Sequence, residues 1–144
     1  MPDAQDDSAG RSGAVTIGSV TEYLTKVNTE DCAFVIDSQL TITPVPRTPG
    51  PPKRLPGMTL GVITMTENAP HDGELHPDGD ELLYVMTGRL RVTAELAADQ
   101  PVELGPGESC IVHANQWHKV DVLEPTQLLH LTPGPQGDHR PLPA

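Results

Sequence analysis

Short apolar or alternating runs fill the chain from residue 33 onward, and Pro, Gly, Asn and Asp interrupt them at close intervals. This pattern is typical of an all-β barrel or sandwich, in which short strands alternate with turns. The predicted strands are residues 33–43, 58–66, 73–76, 81–87, 89–96, 108–113, 117–123 and 126–132. We therefore expect one β domain over residues 33–132, followed by a Pro- and Gly-rich tail over residues 133–144.

Proline and glycine also indicate how the strands are connected. Residues 43–57 contain six prolines, which disfavour both ladder pairing and helix, so we expect a loop there, with a lid as one interpretation. Thr87-Gly88 lies between two alternating runs and predicts a tight hairpin. Pro106-Gly107 predicts a turn before the next strand.

A different pattern precedes the strands. Ser19 is followed three residues later by Glu22, which forms a capping box, the signature of a helix N-terminus. One face of that helix would carry the apolar residues Val20, Tyr23, Leu24 and Val27. We therefore predict a short N-terminal helix within residues 14–32, after a mobile acidic tail over residues 1–13.

Length and charge narrow the class of protein. A chain of 144 residues has room for one domain with a substantial core. Its 9 Lys and Arg against 20 Asp and Glu give a formal net charge of -11, which repels phosphate backbones and anionic membrane surfaces. We therefore expect no nucleic-acid partner and no membrane partner. The N-terminus is acidic and polar where a signal peptide would be basic and then apolar, so we expect a cytoplasmic location.

The segment from Glu74 to Glu81 carries the first sign of chemistry. Glu74 and His76 are two residues apart, so on a strand both side chains point to the same face. Glu81 begins an alternating run in which Leu83 and Val85 share its face, the inner face of a barrel. Burying a carboxylate there costs several kcal/mol unless a counter-charge is present, and a metal ion would supply it.

A second candidate ligand lies on a later run. His118, Val120 and Val122 alternate with Lys119 and Asp121, so His118 leads the apolar face of that strand. Two imidazoles and one carboxylate from separate strands form a facial set that suits iron(II) and leaves coordination positions open. Manganese, zinc, nickel or cobalt could use the same ligands. The predicted cofactor is therefore one divalent metal ion.

These residues resemble the two motifs of the cupin superfamily. The first cupin motif is His-x-His, three or four residues, Glu, six residues and Gly. Its spacing is matched by Glu74, His76, Glu81 and Gly88. In the second motif, Gly107 and His118 match by identity. The resemblance implies that His76, Glu81 and His118 bind metal, that the fold is a jelly-roll β-barrel, and that the protein forms a homodimer.

Glu74 stands where cupins have their first histidine ligand, and three interpretations of it are open. As a fourth ligand, it would make a harder site that favours manganese or iron(II) over copper. As a catalytic base, it would take a proton from a metal-bound substrate, its pKa raised by burial and by Glu81. In the third interpretation it faces solvent at the rim of the barrel and has no role.

Other residues are candidates for contact with a substrate. Arg54, beside the Pro-rich loop, is placed to hold an anionic group, and His130 in the last strand is a candidate to point inward toward substrate. His71 is an alternative ligand to Glu74, although it lies in a turn. His113 takes the position of a motif proline and is expected to pack or to face solvent.

We expect a metal-dependent enzyme that acts on a small organic substrate, which chelates the metal through hydroxy, keto or enol oxygens. A fourth protein ligand would favour a lyase or isomerase, whereas three ligands would leave room for a dioxygenase. The competing class is a non-catalytic module that binds a small molecule or holds a structural metal. A further alternative is a cupin relative with an empty site.

Overall fold

The computed structural model describes residue 15 and residues 17–47, 56–134 and 137–143. Within these residues the chain is nearly all β, as predicted, and its one helical element is a 3₁₀ turn at Glu95–Ala97. The strands are β1 (Ile17–Val20), β2 (Thr25–Val27), β3 (Cys32–Asp37), β4 (Ile42–Pro46), β5 (Gly57–Met65), β6 (Gly73–Leu75), β7 (Glu81–Ala94), β8 (Val102–Leu104), β9 (Ser109–Val112), β10 (His118–Pro133) and β11 (Asp138–Arg140). In the described part of the chain, no helix is long and apolar enough to cross a membrane.

Strand β10 is the centre of the fold. It pairs antiparallel with β5, β6 and β7. From there the sheet continues through β5 to β3 and β4, through β6 to β11, and through β7 to β8 and β9. This antiparallel arrangement is consistent with a jelly roll. Among the described strands no ladder joins β4 to β11, so hydrogen bonds do not close the sheet into the expected barrel.

The core lies on one face of this sheet and comes mainly from β7 and its neighbours. Its buried residues are Leu83, Val85, Leu90, Val92, Leu104, Val112 and Leu128. Within β7, Leu83 and Val85 follow the buried Glu81 at every second position, as the sequence predicted. The first part of β7 therefore carries a charged ligand candidate at the start of an apolar face.

The hairpin predicted at Gly88 is wrong, because β7 continues straight through that position. The buried residues change parity there, from Leu83 and Val85 before the glycine to Leu90 and Val92 after it. Gly88 has a φ of 89°, and the register between β7 and β10 shifts around it. A local irregularity within one strand and a turn between two strands interrupt the alternation in the same way.

The predicted N-terminal helix is also wrong. Residues 17–27 form the strands β1 and β2, which pair antiparallel. Thr21 makes the turn between them, since its Oγ1 accepts hydrogen bonds from the backbone N–H groups of Tyr23 and Leu24 at 3.2 and 2.9 Å. These bonds, together with the β-branched residues on both sides, favour a hairpin over the helix that Ser19 would cap.

The run predicted as one strand over residues 33–43 contains a turn. Oδ1 of Asp37 accepts hydrogen bonds from the backbone N–H groups of Gln39 and Thr41, at 2.9 and 3.0 Å. Leu40 lies between them with a φ of 65°. The side chain of Asp37 therefore ends β3 and returns the chain to form β4 beside it.

The Pro-rich segment over residues 43–57 was expected to be a loop, and its beginning is not. Pro44 and Pro46 lie in β4 and pair with β3. Among the described strands β4 is an edge, and an edge tolerates prolines because one side of the strand needs no N–H donors. Residues 48–55, most of the predicted loop, lie outside the described residues.

The remaining differences concern strand lengths and the chain ends. The runs at 117–123 and 126–132 form the single strand β10, and β8 was not predicted. Strand β11 lies in the segment expected to be a C-terminal tail, where pairing with β6 gives it an extended backbone. The acidic tail expected over residues 1–13 lies outside the described residues.

Candidate metal centre

Three segments of the chain bring the four predicted metal ligands together. Glu74 lies in β6 with His76 just after it, while Glu81 begins β7 and His118 begins β10. His118 is the direct partner of Glu74 in the ladder between β10 and β6, which places both side chains on one face. One donor atom from each of the four residues lies within 4.8 Å of the other three.

The donor atoms are close enough to share one ion. Nε2 of His76 lies 3.2 Å from Oε2 of Glu74 and 3.3 Å from Oε2 of Glu81. Nε2 of His118 lies 3.2 Å from Oε1 of Glu81 and 4.0 Å from Oε2 of Glu74. Donors on an ion with bonds of about 2.1 Å are about 3.0 to 3.4 Å apart when they are adjacent in octahedral or tetrahedral geometry, and about 4.2 Å apart when they are opposite in an octahedron. The three shorter distances match adjacent donors, and the distance between His118 and Glu74 is close to that of opposite donors. The four residues therefore fit a small divalent ion.

Hydrogen bonds outside the cluster orient two of the ligands. Nδ1 of His118 donates to the carbonyl oxygen of Gln116 at 3.0 Å, which leaves Nε2 free to present a lone pair to the cluster. Oγ1 of Thr132 donates to Oε2 of Glu81 at 2.7 Å. Since that bond uses the proton of Thr132, the hydroxyl accepts from Nδ1 of His130 at 2.8 Å.

His76 lacks such an orienting hydrogen bond, because its Nδ1 is buried and has no hydrogen-bond partner among the described residues. Gly137 packs against that side of the ring. A Cβ at Gly137 would lie 2.9 Å from Nδ1 of His76 and 2.2 Å from the carbonyl oxygen of Leu75. Unpaired buried polar atoms are rare in folded proteins. A cation bound at Nε2 would give this ring a strong interaction that offsets the unpaired nitrogen.

Shifts in pKa show how the cluster balances its charges. Burial raises the pKa of Glu81, but hydrogen bonds from His118 and His76 outweigh burial and hold that pKa well below its usual range. Burial lowers the pKa of His76, but the bonds to Glu74 and Glu81 raise it to about 9. Burial likewise opposes protonation of His118, and Glu81 and the carbonyl of Gln116 raise its pKa overall. A divalent cation at the same donors would supply positive charge in place of protons on the imidazoles.

The four ligand candidates line a cavity of about 670 Å³. Sites for small organic molecules typically have volumes of about 300 to 1,000 Å³. The apolar part of the lining includes Ile63, Met65, Leu83 and Leu128. Glu74 is 26% exposed, whereas the other three ligand candidates are at most 6% exposed. A small molecule in the cavity could therefore reach the donors from the side of Glu74.

The family of the protein follows from a match over half of the chain. Residues 61–132 match the cupin domain family, and all four ligand candidates lie within this segment. The chain is a cupin. No curated protein sequence matches this cupin.

Solved structures resemble the cupin in fold. A cupin protein from Bacteroides fragilis has a TM-score of 0.52 and 13% sequence identity, over 80% of this chain and 86% of its own. A cupin-2 domain protein from Shewanella frigidimarina has a TM-score of 0.46 and 22% identity, over 53% of this chain and 70% of its own. A cupin superfamily protein from Desulfitobacterium hafniense has a TM-score of 0.47 and 18% identity, over 62% and 72%. At these identities, the likeness concerns the fold alone.

Two further histidines of the cupin lie beside Glu74. Nε2 of His71 lies 2.9 Å from Oε1 of Glu74. His139 in β11 is the direct partner of Glu74 in the ladder between β11 and β6, and its ring centroid lies 4.4 Å from that of His71. The sequence pointed to His71 but not to His139, which belongs to neither cupin motif. Only strand pairing shows that His139 is close to the ligands.

The other predicted residues have different outcomes. His130 lines the cavity, and its contact with substrate stays a prediction. Arg54 lies outside the described residues. His113 is exposed and lies 3.3 Å from the carboxylate of Asp80, in line with the expectation that it faces solvent. Glu74 lines the cavity and contacts two histidines, which argues against a position without a role.

Proposed function

We propose that this cupin is a metal-dependent lyase or isomerase that acts on a small organic substrate through its hydroxy, keto or enol oxygens. The observation that carries the proposal is a cluster of four ligand candidates on the wall of a cavity of about 670 Å³. A structural metal is closed off by protein ligands, whereas this cluster borders a cavity that can admit a small molecule. The arrangement therefore favours a catalytic site over a structural module.

The number of donors favours one reaction class. Glu74, His76, Glu81 and His118 would hold one ion, with iron, manganese or zinc as the best matches and nickel or cobalt as alternatives. Four protein donors would leave two positions on an octahedral ion, which would match the two oxygens of a chelating hydroxy acid or keto acid. A dioxygenase needs a further position for oxygen, so the four-donor set supports lyase or isomerase chemistry.

When bound, the ion would polarise the chelated oxygen and make a neighbouring C–H or O–H group more acidic. We assign acceptance of that proton to Nε2 of His130. Burial lowers the pKa of His130, so the ring is neutral at pH 7, and its Nδ1 proton is already donated to Thr132. Gly61 lies opposite His130 in the ladder and makes room for its ring, since a Cβ there would lie 2.5 Å from Nε2, and His130 lines the cavity. Glu74 is the alternative base, but the expected rise of its pKa is wrong: burial and Glu81 raise that pKa, and the hydrogen bond with His76 together with the charges of His71 and His76 lowers it overall.

Elemental analysis of the protein purified without added metal or chelator tests the metal site. The wild type should contain close to one iron, manganese or zinc ion per chain, and His118→Ala should lose it. Glu74→Gln separates the two roles of Glu74, since a ligand role predicts reduced metal content and a base role predicts full metal content with lost activity. Absence of metal in the wild type, before and after reconstitution, would refute the proposal.

Proton exchange tests the reaction class. A panel of small hydroxy and keto acids would be incubated with the metal-loaded protein in D₂O and followed by NMR. We expect metal-dependent deuterium incorporation next to the chelating oxygen, and loss of this exchange in His130→Gln with metal content unchanged. Oxygen consumption with the iron(II) form on the same compounds would instead indicate a dioxygenase.

A further inference from the structure

Strand pairing places three ligand-type side chains in one row across β10, β6 and β11. His118 is the direct partner of Glu74 on one side, and His139 is the direct partner of Glu74 on the other. Direct partners in antiparallel strands project their side chains from the same face. A further ligand-type side chain, that of His139 in β11, therefore lies next to Glu74 on the face that carries the candidate metal centre.

The two carboxylate oxygens of Glu74 contact different histidines. Oε2 lies 3.2 Å from Nε2 of His76, on the side of the first cluster. Oε1 lies 2.9 Å from Nε2 of His71, which does not belong to the first cluster. One donor atom each of His71, Glu74 and His139 lies within 4.8 Å of the other two, so these three residues form a second group of metal-ligand type.

We propose that His71, Glu74 and His139 form a second divalent-cation position, joined to the first by the carboxylate of Glu74. This inference rests on the proposed metal site, because the bridge requires an ion among His76, Glu81 and His118. Carboxylates bridge pairs of ions about 3.5 to 4 Å apart in two-metal enzymes. Glu74 is thus a candidate for a shared ligand, with His76 near one carboxylate oxygen and His71 near the other.

The surroundings of the second group are suitable for a cation with open coordination positions. His71, Glu74 and His139 all line the cavity, so solvent or substrate oxygens could complete the coordination. The carboxylate of Asp72 adds negative charge close to His71. Two imidazoles and one carboxylate suit zinc, cobalt or manganese rather than calcium. With three partly exposed donors instead of four mostly buried ones, the second ion should bind about tenfold or more weakly than the first.

The competing explanation is that His71 merely positions Glu74 by a hydrogen bond. In that case the protein would bind one ion, and removing His139 would not change the number of ions. His139 is exposed, so His139→Ala should fold normally. His113→Ala is a matched control, because His113 is also an exposed histidine but contacts Asp80 and belongs to neither group of ligand candidates.

Equilibrium dialysis of the full chain with Zn²⁺ and EPR titration with Mn²⁺ test the proposal. We expect two ions per chain in the wild type and in His113→Ala, but one ion per chain in His139→Ala and in His71→Ala. Exchange-coupled Mn²⁺ signals should appear only in the proteins that bind two ions. A wild type that saturates at one ion would overturn the second position while leaving the proposed function standing. Two ions in His139→Ala, or a second Mn²⁺ without coupling, would also overturn it. No binding at all would overturn both proposals.

Discussion

At the scale of single residues, the candidate centre depends on contacts one step beyond the ligands. Thr132 donates to Glu81 and accepts from His130, so one hydroxyl orients a ligand and the proposed base together. Gly137 supports His76 in another way, since the absence of a Cβ leaves room for the buried ring. Each of these contacts can be tested by a change of a few atoms.

Substitution of Thr132 by Val removes the hydroxyl but nearly preserves the volume of the side chain. Metal affinity should fall about 10- to 100-fold, because Glu81 loses the donor that orients it. Thr132→Ser keeps the hydroxyl and should stay close to the wild type. Isothermal titration with Zn²⁺ or Mn²⁺ would measure both, and equal losses in the two variants would contradict the role of the hydroxyl.

Substitution of Gly137 by Ala should displace His76. The added Cβ would come within 2.2 Å of the carbonyl oxygen of Leu75 and 2.9 Å of Nδ1 of His76, so β11 or the ring must move. We expect metal affinity to fall about tenfold or more, as when the support of a ligand is lost. Gly79→Ala is the control, since its nearest contact would be 3.4 Å from Pro133. Similar affinities in the two variants would count against this explanation.

At the scale of elements, β7 and β10 organise both the core and the site. β7 carries Glu81 at its start and core residues on both sides of Gly88. The register shift at Gly88 lets both halves of the strand turn their apolar residues inward. The position requires glycine, because its φ is 89° and a Cβ would lie 2.1 Å from the carbonyl oxygen of Pro125.

Gly88→Ala should therefore destabilise the protein more than Gly107→Ala. Gly107 also has a positive φ, of 83°, but a Cβ there would meet nothing within 4 Å. Gly107→Ala should reduce the free energy of unfolding by about 1 to 2 kcal/mol through backbone strain alone, while Gly88→Ala adds a clash. Urea denaturation would measure the difference, and equal losses would show that the clash is relieved at little cost.

At the scale of the whole molecule, the charged cluster links folding, pH and metal. Without metal, the raised pKa of His76 stabilises the folded state fully below its ordinary value of 6.5, and this stability is lost as the pH rises through about 9. The lowered pKa of Glu81 stabilises the folded state above its ordinary value of 4.5, and this stability is lost as the pH falls further. The metal-free protein should thus be most stable between pH 4.5 and pH 6.5, where both groups contribute fully.

Thermal unfolding in chelator should show the midpoint falling as the pH is raised from 6.5 to 9. With saturating Zn²⁺ the same rise in pH should not lower the midpoint, because metal binds the imidazoles after they lose their protons and its affinity increases. The metal-loaded protein is thus the control for the metal-free one. Identical pH dependence in both conditions would show that His76 is not coupled to metal binding.

The homodimer implied by the cupin resemblance stays a prediction at this scale. Sedimentation equilibrium of the metal-free and metal-loaded protein would measure it directly. We expect twice the chain mass of 15.4 kDa in both states. A single-chain mass at high protein concentration would contradict the prediction.

The sequence by itself determined the all-β class and the inward face of β7, because alternation with period two is a local signal. It also singled out the four ligand candidates, since motif spacing is visible along the chain. Tertiary structure alone decided that His139 lies beside Glu74, that one strand passes through Gly88, and that residues 17–27 form a hairpin. Each of these features depends on which strand pairs with which. Pairing between strands that are far apart in the sequence leaves little trace in the local pattern of residues.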